Sequence, residues 1–78
     1  MIIESYNKAH FSQCVAIFDS NLGKYFAECE RKYFTDFLEF HACRLPYFVV
    51  LVNDEVVACG GYELEGGCVT LSWGMVKR

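Results

Sequence analysis

A single proline, little charge and no long uninterrupted apolar run are what this 78-residue sequence has least of. Charged residues make up 22% of it against 54% hydrophobic and 17% aromatic, which excludes the polar, highly charged composition of a disordered chain. Basic runs are absent apart from the terminal Lys77-Arg78, and ten acids against seven Lys and Arg leave a net charge of −3. Nucleic acid is therefore not expected as a partner. Asn53, Asp54 and Glu55 interrupt the longest apolar stretch, so nothing approaches the roughly 18 to 20 residues that cross a bilayer, and no membrane partner is expected. The N-terminus has no basic region followed by a long apolar core, so it does not read as a signal peptide, and the expected location is cytoplasmic. No Cys-x-x-Cys pair occurs among the five cysteines. Their odd number and even spread suit reduced thiols, and the pairs His10 with Cys14 and His41 with Cys43 match no zinc module, so no metal is expected.

What is present organises into one domain, residues 1–78, with a modest core. Ile2 to Tyr6 is short, apolar and β-branched, and Asn7 follows as a helix N-cap, so a strand feeds a helix. Phe11, Cys14, Val15, Phe18 and Leu22 recur at helical spacing, and Asn21 and Gly23 supply the stop. A second stripe, Phe26, Cys29, Tyr33, Phe37 and Phe40, widened by Phe34 and Leu38, ends before Pro46. Glu28 and Glu30 at its start and His41 and Arg44 at its end suit the helix dipole. Beyond Pro46 the period becomes that of strands. Tyr47–Val52, a turn at Asn53-Asp54, a strand Glu55–Tyr62 with a bulge or close backbone approach at Gly60-Gly61, a turn at Glu65-Gly66-Gly67 and a strand Cys68–Val76 read as a meander. The fold class is α+β in the order β-α-α-β-β-β, with a four-stranded antiparallel sheet and two helices. Cys14, Cys29 and Cys59 are predicted to be buried and slow to react, whereas Cys43 and Cys68 lie near turns.

That order, with the stretches Asn21-Leu22-Gly23-Lys24-Tyr25-Phe26, Tyr47-Phe48-Val49-Val50, Val57-Ala58-Cys59-Gly60-Gly61-Tyr62 and Leu71-Ser72-Trp73-Gly74-Met75-Val76, resembles the first half of the GNAT N-acetyltransferase superfamily. The resemblance implies a strand order of one, two, three, four, with both helices packed against the sheet. It also implies acetyl transfer from acetyl-CoA to a primary amine. In the family, backbone groups near the end of the fourth strand pair with the pantetheine arm of acetyl-CoA as an added strand would, which points to Gly74, Met75 and Val76 as cofactor-binding residues. The junction of the two helices shapes the acceptor groove, which points to Tyr25 and Phe26 as substrate-binding residues. Consecutive residues cannot both face one core stripe, so one of these two is expected to line a groove or face solvent.

A family member also carries, after its fourth strand, a Gly-rich loop at a helix start that holds the pyrophosphate. Here the chain reaches Arg78 before any such loop, and a complete domain of the family is about twice as long. The expectation is a partial domain, the acceptor-side half, that is inactive alone and binds acetyl-CoA weakly. Thr70 stands where some members have a glutamate base and cannot serve as one, and the tyrosine that protonates the departing thiolate in many members falls outside this stretch. The alternative reading is a non-catalytic α+β module for protein binding or dimerisation. In the family a fifth strand and a further helix follow, so the Cys68–Val76 strand is expected to present an unpaired apolar edge, with Val69, Leu71, Trp73 and Met75 alternating along it. Self-association through that strand follows.

Overall fold

A computed structural model describes residues 1–77. Strand β1 (Ile2–Ser5) leads through a 3-10 turn (Lys8–His10) into helix α1 (Phe11–Ser20). A second 3-10 turn (Glu28–Glu30) opens helix α2 (Arg31–Phe40), and strands β2 (Tyr47–Val52), β3 (Glu55–Glu65) and β4 (Cys68–Val76) complete the chain. The sheet runs β1-β2-β3-β4 with every pair antiparallel, the α+β arrangement the pattern predicts. Side chains of α1 and α2 meet one face of this sheet. Phe18, Ile17, Phe34 and Leu38 bury there against Tyr47, Val49, Val56 and Met75.

Local chemistry explains where α1 begins and ends. Asn7 Oδ1 accepts from the Ala9 N–H at 2.8 Å while His10 Nδ1 accepts from the Asn7 N–H at 3.1 Å, a reciprocal cap that satisfies orphan donors before the helix proper. Cys14, Val15 and Phe18 are buried as their spacing predicts, joined by Ile17, and Gly23 takes the left-handed φ of +80° past the helix end. Across the layer, Gln13 Oε1 accepts from the Val56 N–H at 2.9 Å, tying α1 to β3.

The second helix departs from its predicted phase. Phe34, Phe37 and Leu38 are buried, whereas Cys29, Tyr33 and Phe40 are exposed. Two apolar stripes share Phe37 on this aromatic-rich helix, so periodicity fits both. Packing selects the one that sets Phe34 beside Phe18 and Trp73, with ring centroids 5.3 Å away in each case. Phe26 lies in the loop before α2, and His41 and Arg44 lie past its last turn, so the predicted basic helix end is not formed. Cys29 consequently joins Cys43 and Cys68 as an exposed thiol, while Cys14 and Cys59 are buried.

Two irregularities shape the sheet. Asn53 and Asp54 both take left-handed φ, 53° and 65°, the mirror-image turn whose twist matches a two-residue hairpin. The predicted irregularity near Gly60-Gly61 exists, but its extra residue belongs to β4: Cys59 pairs with Met75 while Gly61 pairs with Ser72. Trp73 fills that bulge with φ of 41°. A Cβ on Gly61 would stand 2.8 Å from the Tyr47 ring and 2.9 Å from Tyr47 Cα, so this glycine permits the close strand approach. The bulge also breaks the simple alternation expected of β4. Trp73 packs on the helix side and Met75 is buried there, whereas Val69 and Leu71 are exposed.

Candidate functional site

Strain and hydrogen bonding converge where the end of β4 meets the end of α1. A non-glycine residue held at positive φ costs about 1–3 kcal/mol and persists only where its surroundings fix it. Trp73 is fixed from both sides. Tyr47 Oη donates to its carbonyl at 2.8 Å, and its indole lies 6.4, 6.1 and 5.3 Å from the rings of Phe18, Phe26 and Phe34. Burial pushes the Tyr47 phenol well above its ordinary pKa, so it stays a donor throughout the physiological range.

Past the bulge, the Lys77 N–H donates to the Val57 carbonyl at 2.8 Å. By antiparallel alternation the backbone groups of Val76 and Gly74 then point away from β3, toward the outer edge. Asn21 Nδ2 reaches that edge, donating to Val76 O at 3.0 Å and to Ile17 O at 2.9 Å. The same residue's carbonyl accepts from the N–H groups of Tyr25 and Phe26 at 3.1 and 3.3 Å. Asn21 is buried and so orders the helix end, the following loop and the strand edge together.

A cavity of about 240 Å³ lies at this junction, lined by Asn21, Tyr25, Phe26, Gly74, Met75 and Val76. The five residues nominated from the sequence as cofactor- and substrate-binding thus share one cavity. As the adjacency rule requires, Phe26 packs partly buried against the core while Tyr25 is exposed, with Lys24 Nζ 5.8 Å from the centre of its ring. At Gly74 a Cβ would meet nothing within 4 Å, so its lack of a side chain leaves the strand backbone open to a ligand. The lining has aromatic and apolar surface, backbone donors and acceptors, and one primary amide. It has no carboxylate or imidazole, and its one side-chain hydroxyl is the Tyr25 phenol. Thr70 pairs with Glu63 further along β4 and is not in the lining.

Sequence reasoning missed Asn21 as a site residue. An asparagine before Gly23 signals only a helix stop, and nothing local reveals that its side chain spans to a strand 55 residues away. A second cavity of about 270 Å³, lined by Tyr6, Lys8, Phe11, Leu38 and Glu39, opens on the other side of α1, and a third of about 390 Å³ follows the loop Gly23–Ala27. Tyr25 and Phe26 line this third cavity as well as the one at the end of β4. The sequence matches no family model, no curated protein and no solved structure.

Proposed function

We propose that this domain receives the pantetheine arm of acetyl-CoA along the β4 edge at Gly74, Met75 and Val76 and presents an amine acceptor against Tyr25 and Phe26, as the acceptor-side half of a GNAT-type acetyl transfer. One observation carries the reading: residues from two segments far apart in sequence, singled out separately as cofactor- and acceptor-binding, line the same cavity. The outward backbone of Gly74 suits an arm whose amides add to the sheet as a strand does. Val76 O is already held by Asn21, which leaves the Val76 N–H and the Gly74 groups for pairing.

Affinity follows from what the cavity offers. Without a phosphate-cradling loop among the described residues, recognition rests on the arm alone, and a Kd of about 1 mM, about −4 kcal/mol, is expected. With no carboxylate or imidazole in the lining to take the acceptor's proton, acetyl transfer by the domain alone is not expected. Amide NMR titration with acetyl-CoA and with pantetheine tests this. Shifts at millimolar ligand centred on Tyr25, Phe26 and Gly74–Val76, weakened by Gly74→Val, are the expected result. Micromolar binding, or shifts centred elsewhere, would overturn it.

A further inference from the structure

The helices cover one face of the sheet, and the other face is apolar and bare. Ile3 on β1, Tyr62 and Leu64 on β3, and Val69, Leu71 and Val76 on β4 are each 40 to 83% exposed. The register places them on a common face. Ile3 pairs with Val50, which pairs with Ala58, which pairs with Val76, while Tyr62 pairs with Leu71 and Leu64 with Val69. Each of these lies out of phase with the buried positions Val49, Cys59 and Met75.

We propose that this helix-free face is the interface of a two-fold homodimer in which two copies of the sheet pack face to face. Area is the first argument. Large side chains at these exposures present roughly 600 Å² per copy, the top of the range for the largest apolar patch on a monomer. Two copies bury roughly 1,200 Å², which reaches the lower bound of stable protein interfaces and exceeds ordinary packing contacts.

Charge selects the occupant. Among the described residues the register brings one acid to this face, Glu55 at its hairpin end, and Lys77 Nζ already neutralises it at 2.8 Å. A charged partner finds nothing to pair with, whereas two identical uncharged faces meet without repulsion despite a net charge of −3 on each chain. Sheets covered on one side pack on each other with strands nearly aligned, and a two-fold axis closes the assembly. The strand Cys68–Val76 then associates by its side chains rather than by its backbone edge. The inference is independent of acetyl-CoA.

Sedimentation equilibrium from one to a hundred micromolar chain, with reductant present so that exposed Cys68 forms no crosslink, tests it. A species of twice the 9.0 kDa chain mass is expected at tens of micromolar. Ile3→Glu and Leu71→Glu are each expected to weaken it by about tenfold or more, and Tyr33→Glu on the exposed side of α2 leaves it unchanged. Circular dichroism confirms that each variant is folded. Ile3 lies on the sheet edge opposite β4, so association lost in Leu71→Glu but intact in Ile3→Glu would indicate edge pairing and overturn the proposal. A monomer at a hundred micromolar would overturn it as well.

Discussion

Tyr6 and Tyr47 are buried phenols whose rings meet edge to face with centroids 5.9 Å apart, yet they contribute oppositely. Tyr47 Oη has the Trp73 carbonyl as its partner, whereas Tyr6 Oη is buried with none among the described residues. An unsatisfied buried hydroxyl costs about 1–3 kcal/mol and a satisfied one contributes about 1 kcal/mol. Urea unfolding should therefore show Tyr6→Phe more stable than the parent by about 1 kcal/mol and Tyr47→Phe less stable by a similar amount. The pH dependence has a definite sign. Burial is the main reason that Tyr6 rises from its ordinary 10.0 to about 12, and Tyr47 moves the same way for the same main reason. Stability from the neutral Tyr6 phenol is complete below pH 10, the unfolded value, and is lost as pH rises through about 12, and that from Tyr47 likewise begins to fall above pH 10. The urea midpoint should fall above pH 10, less steeply in Tyr6→Phe. None of this was legible from sequence. A tyrosine after a short strand signals only an amphipathic side chain, and its partner, or the want of one, is set by tertiary contacts.

Among the elements, the hairpin and α1 were legible because each rests on local chemistry. Asn53-Asp54 between two apolar strands dictates a mirror-image turn, and the Asn7 cap and the Cys14-Val15-Phe18 stripe dictate a helix start and a buried face. The phase of α2 and the position of the β4 bulge were not. Two stripes compete on α2, and the packing that separates them is non-local. Gly60-Gly61 marked the place on β3, where Gly61 permits the close approach, but nothing in the sequence marks Trp73 on β4 as the residue that takes a left-handed φ in the bulge. Of the cavity at the end of β4, the five nominated residues all line it, but the asparagine that joins their two segments was not nominated. The turn itself gives a prediction. Asp54 sits at φ 65°, where glycine has no Cβ conflict, so Asp54→Gly should stabilise the protein by about 0.5–1 kcal/mol. Thermal unfolding of the variant checks this, and a lower midpoint would show that the aspartate side chain contributes more than its strain costs.

At the scale of the whole molecule, the two faces of one sheet have separate uses. The helix side supplies the core and, at the end of β4, the cavity beside Asn21, while the bare side carries the surface proposed to meet a second copy. A core of this size rarely supplies more than about 3–5 kcal/mol, so covering the bare face contributes substantially to folding stability. Folding and association are then linked by mass action, because a partner that binds only the folded chain raises its apparent stability. If folded dimers equilibrate with unfolded monomers, each tenfold increase in concentration changes the balance by about 1.4 kcal/mol per dimer, shared between two chains. For a domain under a hundred residues this raises the thermal midpoint by about 3–6 °C per tenfold. Scans from one to a hundred micromolar should show that rise in the parent. In Ile3→Glu the midpoint should stay flat and near the parent's most dilute value, because the added carboxylate opposes the second copy without touching the helix-side core. A concentration-independent midpoint in the parent would leave the helix-side core as the sole source of stability.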